Sequence, residues 1–359
     1  MKSRFLGLIL CLTVFVSMAQ NKTENIVLVT MDGYRWQELF EGAEWKLVNN
    51  KKQNVNCEWT KSTYWDADPK VSRKKIMPFV WDVIATKGQL FGNRNLGSNA
   101  ELFNNLKFSY PGYSELFCGY VDKKVNSNDY PDNPNYNLID FIQEQEKYKG
   151  KVAFFGTWDA FPRIINNKRN NTPAYVSCNW KDGKIQCLNA VATNPSVEIP
   201  KTTPWSEMDT MTYWLAKDYM VKNHPKFLFI GFDETDHYSH GGKYDAYLTV
   251  ANQQDAYLKD LWNSIQTDPF YKDKTTLIVT CDHGRGVLGM NSWKHHGHVR
   301  KAHETFFMFL GPDTPAQGEN VAPGKFELRQ LASTIASLLN LNYDGKGKAA
   351  KAYNLAATR

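Results

Sequence analysis

Residues 25–30 read Asn-Ile-Val-Leu-Val-Thr, and the last five of them are all apolar or β-branched. A strand with one exposed face would alternate apolar and polar residues, and this run does not. It therefore predicts a strand buried on both faces, as in a parallel sheet covered by helices. Four more runs have the same continuous character: Lys151–Phe155, Lys226–Ile230, Thr276–Thr280 and Thr305–Leu310.

Amphipathic helical patterns lie between and after these runs, with apolar residues three and four positions apart. They cover Ile76–Leu90, Asn137–Tyr148, Glu207–Asn223, Asp245–Gln266 and Glu327–Asn340. Strand alternating with helix predicts an α/β fold, with a mostly parallel central sheet and helices on both faces.

The composition suits one large domain with a substantial core, which we expect over residues 20–359. The chain has 359 residues, of which 42% are hydrophobic, and a net charge of +6. The basic residues are scattered, so no nucleic-acid-binding domain is expected, and a small anionic substrate suits the mild positive balance. Polar stretches near 42–75 and 166–205 are interpreted as loop insertions. The N-terminal apolar run is too short to favour a membrane span, and we expect none in the mature chain.

The first 19 residues have the order of a signal peptide. Two basic residues precede a short apolar run at 5–16, and small residues at 17 and 19 suit cleavage before Gln20. We therefore expect an exported protein, periplasmic or secreted. Cys178 and Cys187 flank a turn-like Asp-Gly pair, which predicts a local disulfide in an oxidising compartment.

Acidic residues follow three of the predicted strands. Asp32 comes after the first, Asp236 after the Lys226 strand, and Asp282 after the Thr276 strand. Ligands of open α/β sheets bind at the carboxyl ends of the strands, so these carboxylates can converge on one place. Each could instead cap the helix that follows it, although three such residues with neighbouring histidines favour a shared site.

The eight histidines all lie between His224 and His303, and metal binding is the usual reason for imidazoles to cluster with carboxylates. His240 follows Asp236 by four residues, and His283 directly follows Asp282. The run Trp-Lys-His-His-Gly-His at 293–298 supplies at least one more imidazole. Six such oxygen and nitrogen ligands predict two three-ligand sites for divalent ions, zinc or similar, with open positions for catalysis.

Ser109 is the candidate nucleophile. It stands two residues before Pro111, which suits the first turn of a helix covering roughly residues 112–117. The positive end of the helix dipole and a divalent ion would both favour the alkoxide of Ser109. The alternative is that Ser109 only caps this helix.

These residues together resemble the alkaline phosphatase superfamily, nearest its nucleotide pyrophosphatase/phosphodiesterase branch. The motifs occur in the order of that branch. They are Asp32-Gly33, Ser109-Tyr110-Pro111 with Cys118-Gly119, Asp236-x-x-x-His240 with Gly242, Asp282-His283-Gly284, His296-Gly297 and Gly311-Pro312.

The resemblance implies the roles of the residues. One ion would take Asp236, His240 and His296, since only the His296-Gly297 pair fits the family pattern, although His295 and His298 remain alternatives. The other ion would take Asp32, Asp282 and His283, with Ser109 Oγ between the two. An asparagine after the nucleophile helix would bind a phosphoryl oxygen: Asn128, with Asn126 as the alternative.

Some residues of this sequence differ from the family pattern, and these differences reduce the number of reaction types to be expected. Sulfatases of the superfamily carry an arginine four residues after the modified Cys or Ser, and here that position is Tyr113. Gly112-Tyr113 also replaces the Asn-His usual in eukaryotic phosphodiesterases. Arg163 and Arg169 are the candidates for a cation on a non-bridging phosphate oxygen.

The resemblance therefore implies a two-metal phosphoric ester hydrolase that forms a phosphoseryl intermediate. A diester or nucleotide-like phosphoanhydride is the expected substrate class. The alternatives are a phosphomonoesterase, a sulfatase, a phosphonate hydrolase or a non-catalytic metal-binding relative.

Overall fold

The computed structural model of this chain describes residues 20–181, 184–188, 208–287, 291–321 and 324–356. Its strands are β1 Asn25–Met31, β2 Gln89–Phe91, β3 Asn99–Glu101, β4 Val152–Gly156, β5 Ala174–Lys181, β6 Lys184–Leu188, β7 Phe227–Phe232, β8 Thr275–Thr280, β9 Phe307–Leu310, β10 Gly318–Glu319 and β11 Lys325–Glu327.

The α-helices are α1 Trp36–Phe40, α2 Trp45–Val48, α3 Cys57–Tyr64, α4 Pro69–Ile76, α5 Ala85–Lys87, α6 Ser109–Cys118, α7 Leu138–Glu144, α8 Phe161–Ile164, α9 Asn167–Asn170, α10 Met208–Asn223, α11 Glu234–His240, α12 Tyr244–Thr267 and α13 Leu331–Leu338. A π-helix covers Val80–Ile84, and 3-10 turns cover Arg94–Leu96, Ser292–Lys294 and Leu328–Gln330.

The described strands form one nine-stranded sheet and a small pair. The order in the large sheet is β10-β2-β9-β8-β1-β7-β4-β5-β6. The five central strands from β8 to β5 run parallel to one another, while β9 is antiparallel to β8 and β6 to β5. The predicted α/β fold with a mostly parallel sheet is confirmed.

The core lies on both faces of the sheet, as the unbroken apolar runs require. In β1, Val27 and Val29 enter one buried cluster, which includes Leu258 of α12. Ile26 and Leu28 enter the other cluster, to which α6, α7 and α13 contribute. Every residue of β1 is buried, so the strand ends in the middle of the molecule.

The predicted helix at 76–90 extends three residues too far, because the helical turns end before Gly88. A π-helix and one α-helical turn end at Lys87, and residues 89–91 form β2, antiparallel to β9. A Cβ on Gly88 would lie 2.1 Å from the Phe309 carbonyl oxygen, so the chain there approaches β9 too closely for any other residue.

The two polar stretches are not simple loops. Helices α2, α3 and α4 occupy most of 42–75, and they pack on α1 and α12. In 166–205, helix α9 is followed by the strands β5 and β6. The apolar periodicity of these short helices and strands is weak, and the Pro and Asn residues among them are typical of loops. The interpretation of these segments as loops was therefore wrong.

Two predictions fall partly or wholly outside the described residues. The signal peptide at 1–19 lies outside them. Cys178 is disulfide-bonded, and it lies on β5, antiparallel to the strand that carries Cys187. The side chain of Cys187 is not among those described, so the pairing stays a prediction. None of the helices in the described ranges has the length and apolar character needed to cross a bilayer.

Candidate active site

The carboxyl ends of three adjacent strands carry the predicted carboxylates. Strand β1 lies between β7 and β8, with Met31 opposite Phe232 and Thr30 opposite Thr280. Asp32 therefore leaves the sheet beside the turn that leads to Asp236 and beside Asp282. The edge of the sheet brings together residues that are about 200 and 250 positions apart in the chain.

The first group consists of Asp32, Asp282 and His283, whose ligand atoms lie within 4.8 Å of one another. All three side chains are buried. Nε2 of His283 lies 3.5 Å from an oxygen of Asp32 and 3.5 Å from an oxygen of Asp282. Nδ1 of the same ring is 3.0 Å from the Gly284 carbonyl oxygen, which can only accept, so Nδ1 carries the proton. Nε2 is left as a lone-pair donor facing two carboxylates.

Two buried oxygens of this group have no hydrogen-bond donor among the described residues. Oδ1 of Asp32 and Oδ2 of Asp282 accept no hydrogen bond there. Burial, with repulsion from Asp282 and Asp236, raises the pKa of Asp32, and burial with Asp236 raises the pKa of Asp282 to about 7. Burial lowers the pKa of His283 to about 4. Burying these carboxylates in their charged form beside a neutral imidazole is energetically unfavourable, and a bound cation would remove that penalty.

The second group consists of Asp236, His240 and His296. Asp236 and His240 are one turn apart on α11, and Oδ2 of Asp236 lies 3.2 Å from Nε2 of His240. That Nε2 is 3.0 Å from Nε2 of His296. The rings of His283 and His296 are 4.2 Å apart, so the two groups adjoin. Two facing ring nitrogens can share one proton at most, whereas a divalent ion accepts a lone pair from each.

Arg285 belongs to the site, although no motif in the sequence pointed to it. Its buried guanidinium contacts Oδ1 of Asp236 and donates to the carbonyl oxygen of Gly33 at 3.2 Å. Burial alone would raise the pKa of Asp236, but Arg285 and His240 hold it well below its ordinary value. The signal available in the sequence was the position of Arg285 directly after Asp-His-Gly.

Ser109 lies at the start of α6 and beside the first group. The helix begins at Ser109 itself, three residues earlier than predicted, and its N-cap is Phe108. The Ser109 hydroxyl therefore does not cap the helix, and its Oγ lies 3.3 Å from Nε2 of His283. The side chain is 7% exposed, which leaves it accessible from one side.

Helix α6 packs closely against the strand ends through Gly112 and Tyr113. A Cβ on Gly112 would lie 2.6 Å from the carbonyl oxygen of Asp282. The Tyr113 hydroxyl donates to Oδ2 of Asp32 at 3.2 Å. The glycine thus permits the close approach, and the tyrosine connects α6 to the candidate ligand Asp32.

A cavity of about 340 Å³ opens beside Ser109. It is lined by Ser109, Asn128, Asp129, Trp158, Asp159, Arg163, Asp233 and Asp236. Oδ1 of Asn128 accepts from the backbone N–H of Tyr110 at 2.9 Å, which fixes the amide next to Ser109. Asn126 is exposed and does not line this cavity.

The two candidate arginines lie in different places relative to this cavity. Arg163 lines it, with its Nη1 donating to the Tyr130 carbonyl oxygen at 2.9 Å. Arg169 does not line it, because its guanidinium pairs with Asp140 on α7. Of the two candidate arginines, Arg163 is therefore the one that lies at the cavity beside Ser109.

The three histidines of the 293–298 run also differ in their surroundings. His296 is partly buried and belongs to the second group. His295 and His298 are exposed and belong to neither group. The geometry thus favours His296 as the third ligand.

Comparison with known proteins agrees with this architecture. A family model described as the metalloenzyme superfamily matches residues 189–343. The chain is similar to wild-type alkaline phosphatase PafA, at 11% identity and a TM-score of 0.54 over 91% of this chain and 97% of the other. It is also similar to a 2-O GAG sulfatase, at 13% identity and a TM-score of 0.55 over 92% and 73%.

A protein of the alkaline phosphatase superfamily from Vibrio parahaemolyticus gives 13% identity and a TM-score of 0.50, over 90% of this chain and 68% of the other. No curated protein matches the sequence. Identities this low carry the fold and no specific activity. The chain thus matches a metalloenzyme superfamily model over residues 189–343, and its described residues have a fold similar to that of alkaline phosphatase PafA and related structures.

Proposed function

We propose that this protein hydrolyses a phosphoric diester of a small molecule, with Ser109 as the nucleophile. The observation that supports this most strongly is the position of Ser109 Oγ, 3.3 Å from His283 in a group of three candidate metal ligands. A second such group adjoins it.

Two divalent ions, zinc or similar, would be held by the two groups. Asp32, Asp282 and His283 would hold one, and Asp236 and His240 with His296 the other. Carboxylate and imidazole ligands without thiolate suit zinc, and the unpartnered buried oxygens of Asp32 and Asp282 fit a cation. When bound, such ions supply the positive charge that favours the serine alkoxide and neutralises the phosphoryl oxygens.

The residues of the chain then have separate roles. Ser109 Oγ attacks phosphorus, the Oγ–P bond forms, and the P–O bond to the leaving group breaks with its electron pair. Asn128, whose Oδ1 is occupied by the Tyr110 N–H, has its NH₂ group free to donate to a phosphoryl oxygen. Water then cleaves the Oγ–P bond, which releases the phosphoryl product and restores Ser109.

The charge of the cavity favours a diester over a monoester. Among the described residues that line it, Arg163 is the one cation, and Asp129 and Asp159 are exposed carboxylates outside the two ligand groups. Burial and repulsion from Asp236 raise the pKa of Asp233 and disfavour its charge. A monoester carries a second negative charge that would face these carboxylates, whereas a diester carries only one. A sulfatase is disfavoured because Tyr113 stands where those enzymes have arginine, and its hydroxyl contacts Asp32.

The test compares Ser109→Ala with wild type on a panel of nitrophenyl phosphodiesters, monoesters and sulfate esters, after loading with zinc. We expect the diesters to be the best substrates, and Ser109→Ala to lose about a thousandfold or more of the turnover while remaining folded. Ser109→Thr should keep part of the activity, since related enzymes use threonine at this place.

Ser114→Ala is the matched control. Ser114 lies in the same helix, and its hydroxyl contacts Asn133 and Cys118 instead of the ligand groups. Its turnover should stay within a few-fold of wild type. If Ser109→Ala hydrolyses the best substrate at a rate within a few-fold of wild type, the mechanism is wrong.

We also propose that the mature chain begins at Gln20 and acts outside the cytoplasm, in the periplasm or after secretion. The disulfide at Cys178 supports this, because disulfides persist in oxidising compartments. Peptide mapping of the protein purified from its natural host tests it. An intact Met1, or free thiols at Cys178 and Cys187, would contradict it.

A further inference from the structure

Each carboxylate of the first ligand group has one oxygen held by a protein donor and one oxygen free. Oδ2 of Asp32 accepts from the Tyr113 hydroxyl at 3.2 Å, and Oδ1 lies 3.5 Å from Nε2 of His283. Oδ1 of Asp282 accepts from the Gly33 N–H at 3.3 Å, and Oδ2 lies 3.5 Å from that same nitrogen. Among the described residues, the two oxygens that face His283 have no hydrogen-bond donor. The group therefore offers an ion one oxygen from each carboxylate and one nitrogen.

Asp236 of the second group has the same arrangement. Its Oδ2 lies 3.2 Å from Nε2 of His240, and its Oδ1 contacts the guanidinium of Arg285. Oδ1 also lies 3.9 Å from Nε2 of His283 in the first group. Without Arg285, this oxygen would be free to bind the ion of its own group or to reach toward the other ion. Arg285 therefore keeps the ligand sets of the two groups separate.

The position of Arg285 is fixed by several contacts. Its side chain is fully buried, and it also donates to the carbonyl oxygens of Gly33 at 3.2 Å and Trp293 at 3.4 Å. An added Cβ on Gly33 would lie 2.9 Å from Nε of Arg285 and 2.7 Å from Oδ1 of Asp236, so the glycine leaves room for this ion pair. One planar guanidinium thus connects the turn after β1, the first turn of α11 and the segment before His296.

Tyr113 is held as firmly on α6. Its side chain is fully buried, and its ring lies 4.8 Å from that of Phe161. The hydroxyl lies 3.2 Å from Oδ2 of Asp32 and 3.2 Å from Oγ1 of Thr30. An ionised Asp32 can only accept, so the tyrosine donates its one hydroxyl proton to Oδ2. Tyr113 thus restrains one oxygen of Asp32 and leaves the other facing His283.

We propose that Tyr113 and Arg285 are positioning residues for the metal ions, and that each restricts a ligand carboxylate, Asp32 or Asp236, to one ligand oxygen. This inference rests on the metal binding in the proposed function. Each group then supplies three ligand atoms and leaves a position open for substrate, as in catalytic zinc sites. Calcium takes about 6–8 oxygen ligands and magnesium about six, so the arrangement favours zinc over both.

Cobalt(II) is the probe that tests this proposal. It replaces zinc, and it absorbs visible light strongly in four-coordinate sites and weakly at higher coordination number. Wild type loaded with cobalt should absorb strongly. Tyr113→Phe and Arg285→Met each release one carboxylate oxygen, so the absorption per bound ion should fall by about half, since one site of two changes. The affinity of the altered site for zinc should fall about 10–100-fold, because its carboxylate is no longer preorganised.

Two control variants remove the same chemical groups elsewhere. The hydroxyl of Tyr343 is buried and donates to the Cys118 carbonyl oxygen at 2.8 Å, at the opposite end of α6 from Ser109. The buried guanidinium of Arg73 pairs with Glu319. Tyr343→Phe and Arg73→Met should lower stability but leave the cobalt spectrum and the zinc affinity unchanged. If Arg285→Met fails to fold, Tyr113→Phe, which removes a single oxygen atom, carries the test.

The outcomes separate this inference from the proposed function. A wild-type cobalt spectrum with wild-type zinc affinity in Tyr113→Phe would overturn the inference. A crystal structure of the zinc-loaded protein with both oxygens of Asp32 or Asp236 on ions would overturn it as well. If the spectra change as expected while Ser109→Ala keeps wild-type turnover, the positioning roles stand and the serine mechanism fails. A wild-type protein that binds no ion would overturn both.

Discussion

The close contact between α6 and the end of β8 makes Gly112 a sensitive position. An alanine Cβ there would lie 2.6 Å from the Asp282 carbonyl oxygen, 3.2 Å from its carbonyl carbon and 3.3 Å from its Cβ. Two of these three atoms are backbone, so they cannot rotate away. Reaching an ordinary contact of 3.4 Å from 2.6 Å requires a shift of about 0.8 Å.

The shift has two consequences for Gly112→Ala. Overpacking a well-packed interior typically costs about 1–3 kcal/mol of stability. Ser109 starts the same helix, so its Oγ should move by a similar distance from His283. A displacement near 1 Å of a reacting group costs about 100-fold in rate, so we expect kcat/KM to fall by about that factor.

Urea unfolding and steady-state kinetics on metal-loaded protein measure both effects. Gly241→Ala is the control: Gly241 follows His240, has helical backbone angles, and its nearest neighbour to an added Cβ lies at 3.6 Å. It should change stability by less than about 0.5 kcal/mol. If Gly112→Ala matches this control in stability and rate, the close approach of α6 does not constrain the site.

Two further predictions concern the ligand groups and their support. Elemental analysis after dialysis should find about two divalent ions per chain in wild type. The variant His296→Ala should lose one of them, whereas His298→Ala should keep both. Equal loss of metal in the two variants would contradict the assignment of His296 as the ligand. Glu115→Gln should lower the free energy of unfolding in urea by about 1–3 kcal/mol. One carboxylate oxygen of Glu115 accepts from the backbone N–H of Phe103, and the other accepts from that of Asn104. In either orientation, the NH₂ group of a glutamine would face one of these N–H groups, and two donors cannot bond to each other. Unchanged stability would refute this prediction.

The central strands could be predicted because a strand buried on both faces requires a continuous run of apolar residues. The five apolar runs correspond to β1, β4, β7, β8 and β9 within two residues at each end. The apolar run of a strand does not depend on its direction, so the antiparallel pairing of β9 with β8 was not predicted. Strand β2 was missed because the contact that ends the helix at Gly88 comes from Phe309, far along the chain.

The candidate ligands could be named because they follow strand ends and match a family pattern. The structure brings together the two predicted sets of three, and the assignment to ions stays a prediction. The residues around them could not be named in this way. Arg285 meets Asp236 across 49 positions, and Trp158 lines the cavity only because β4 lies beside β7.

The position of β1 between β7 and β8 has a consequence for the order in which the protein assembles. Asp32 is made early, yet its neighbours in the site come about 200 and 250 residues later. Contacts so distant in sequence form slowly, because a long loop must close before any pairing compensates its entropy. The ligand groups therefore exist only after the centre of the sheet is complete. Under the proposed function, ions that bind only the folded chain would add to its stability by mass action, so metal uptake would follow folding.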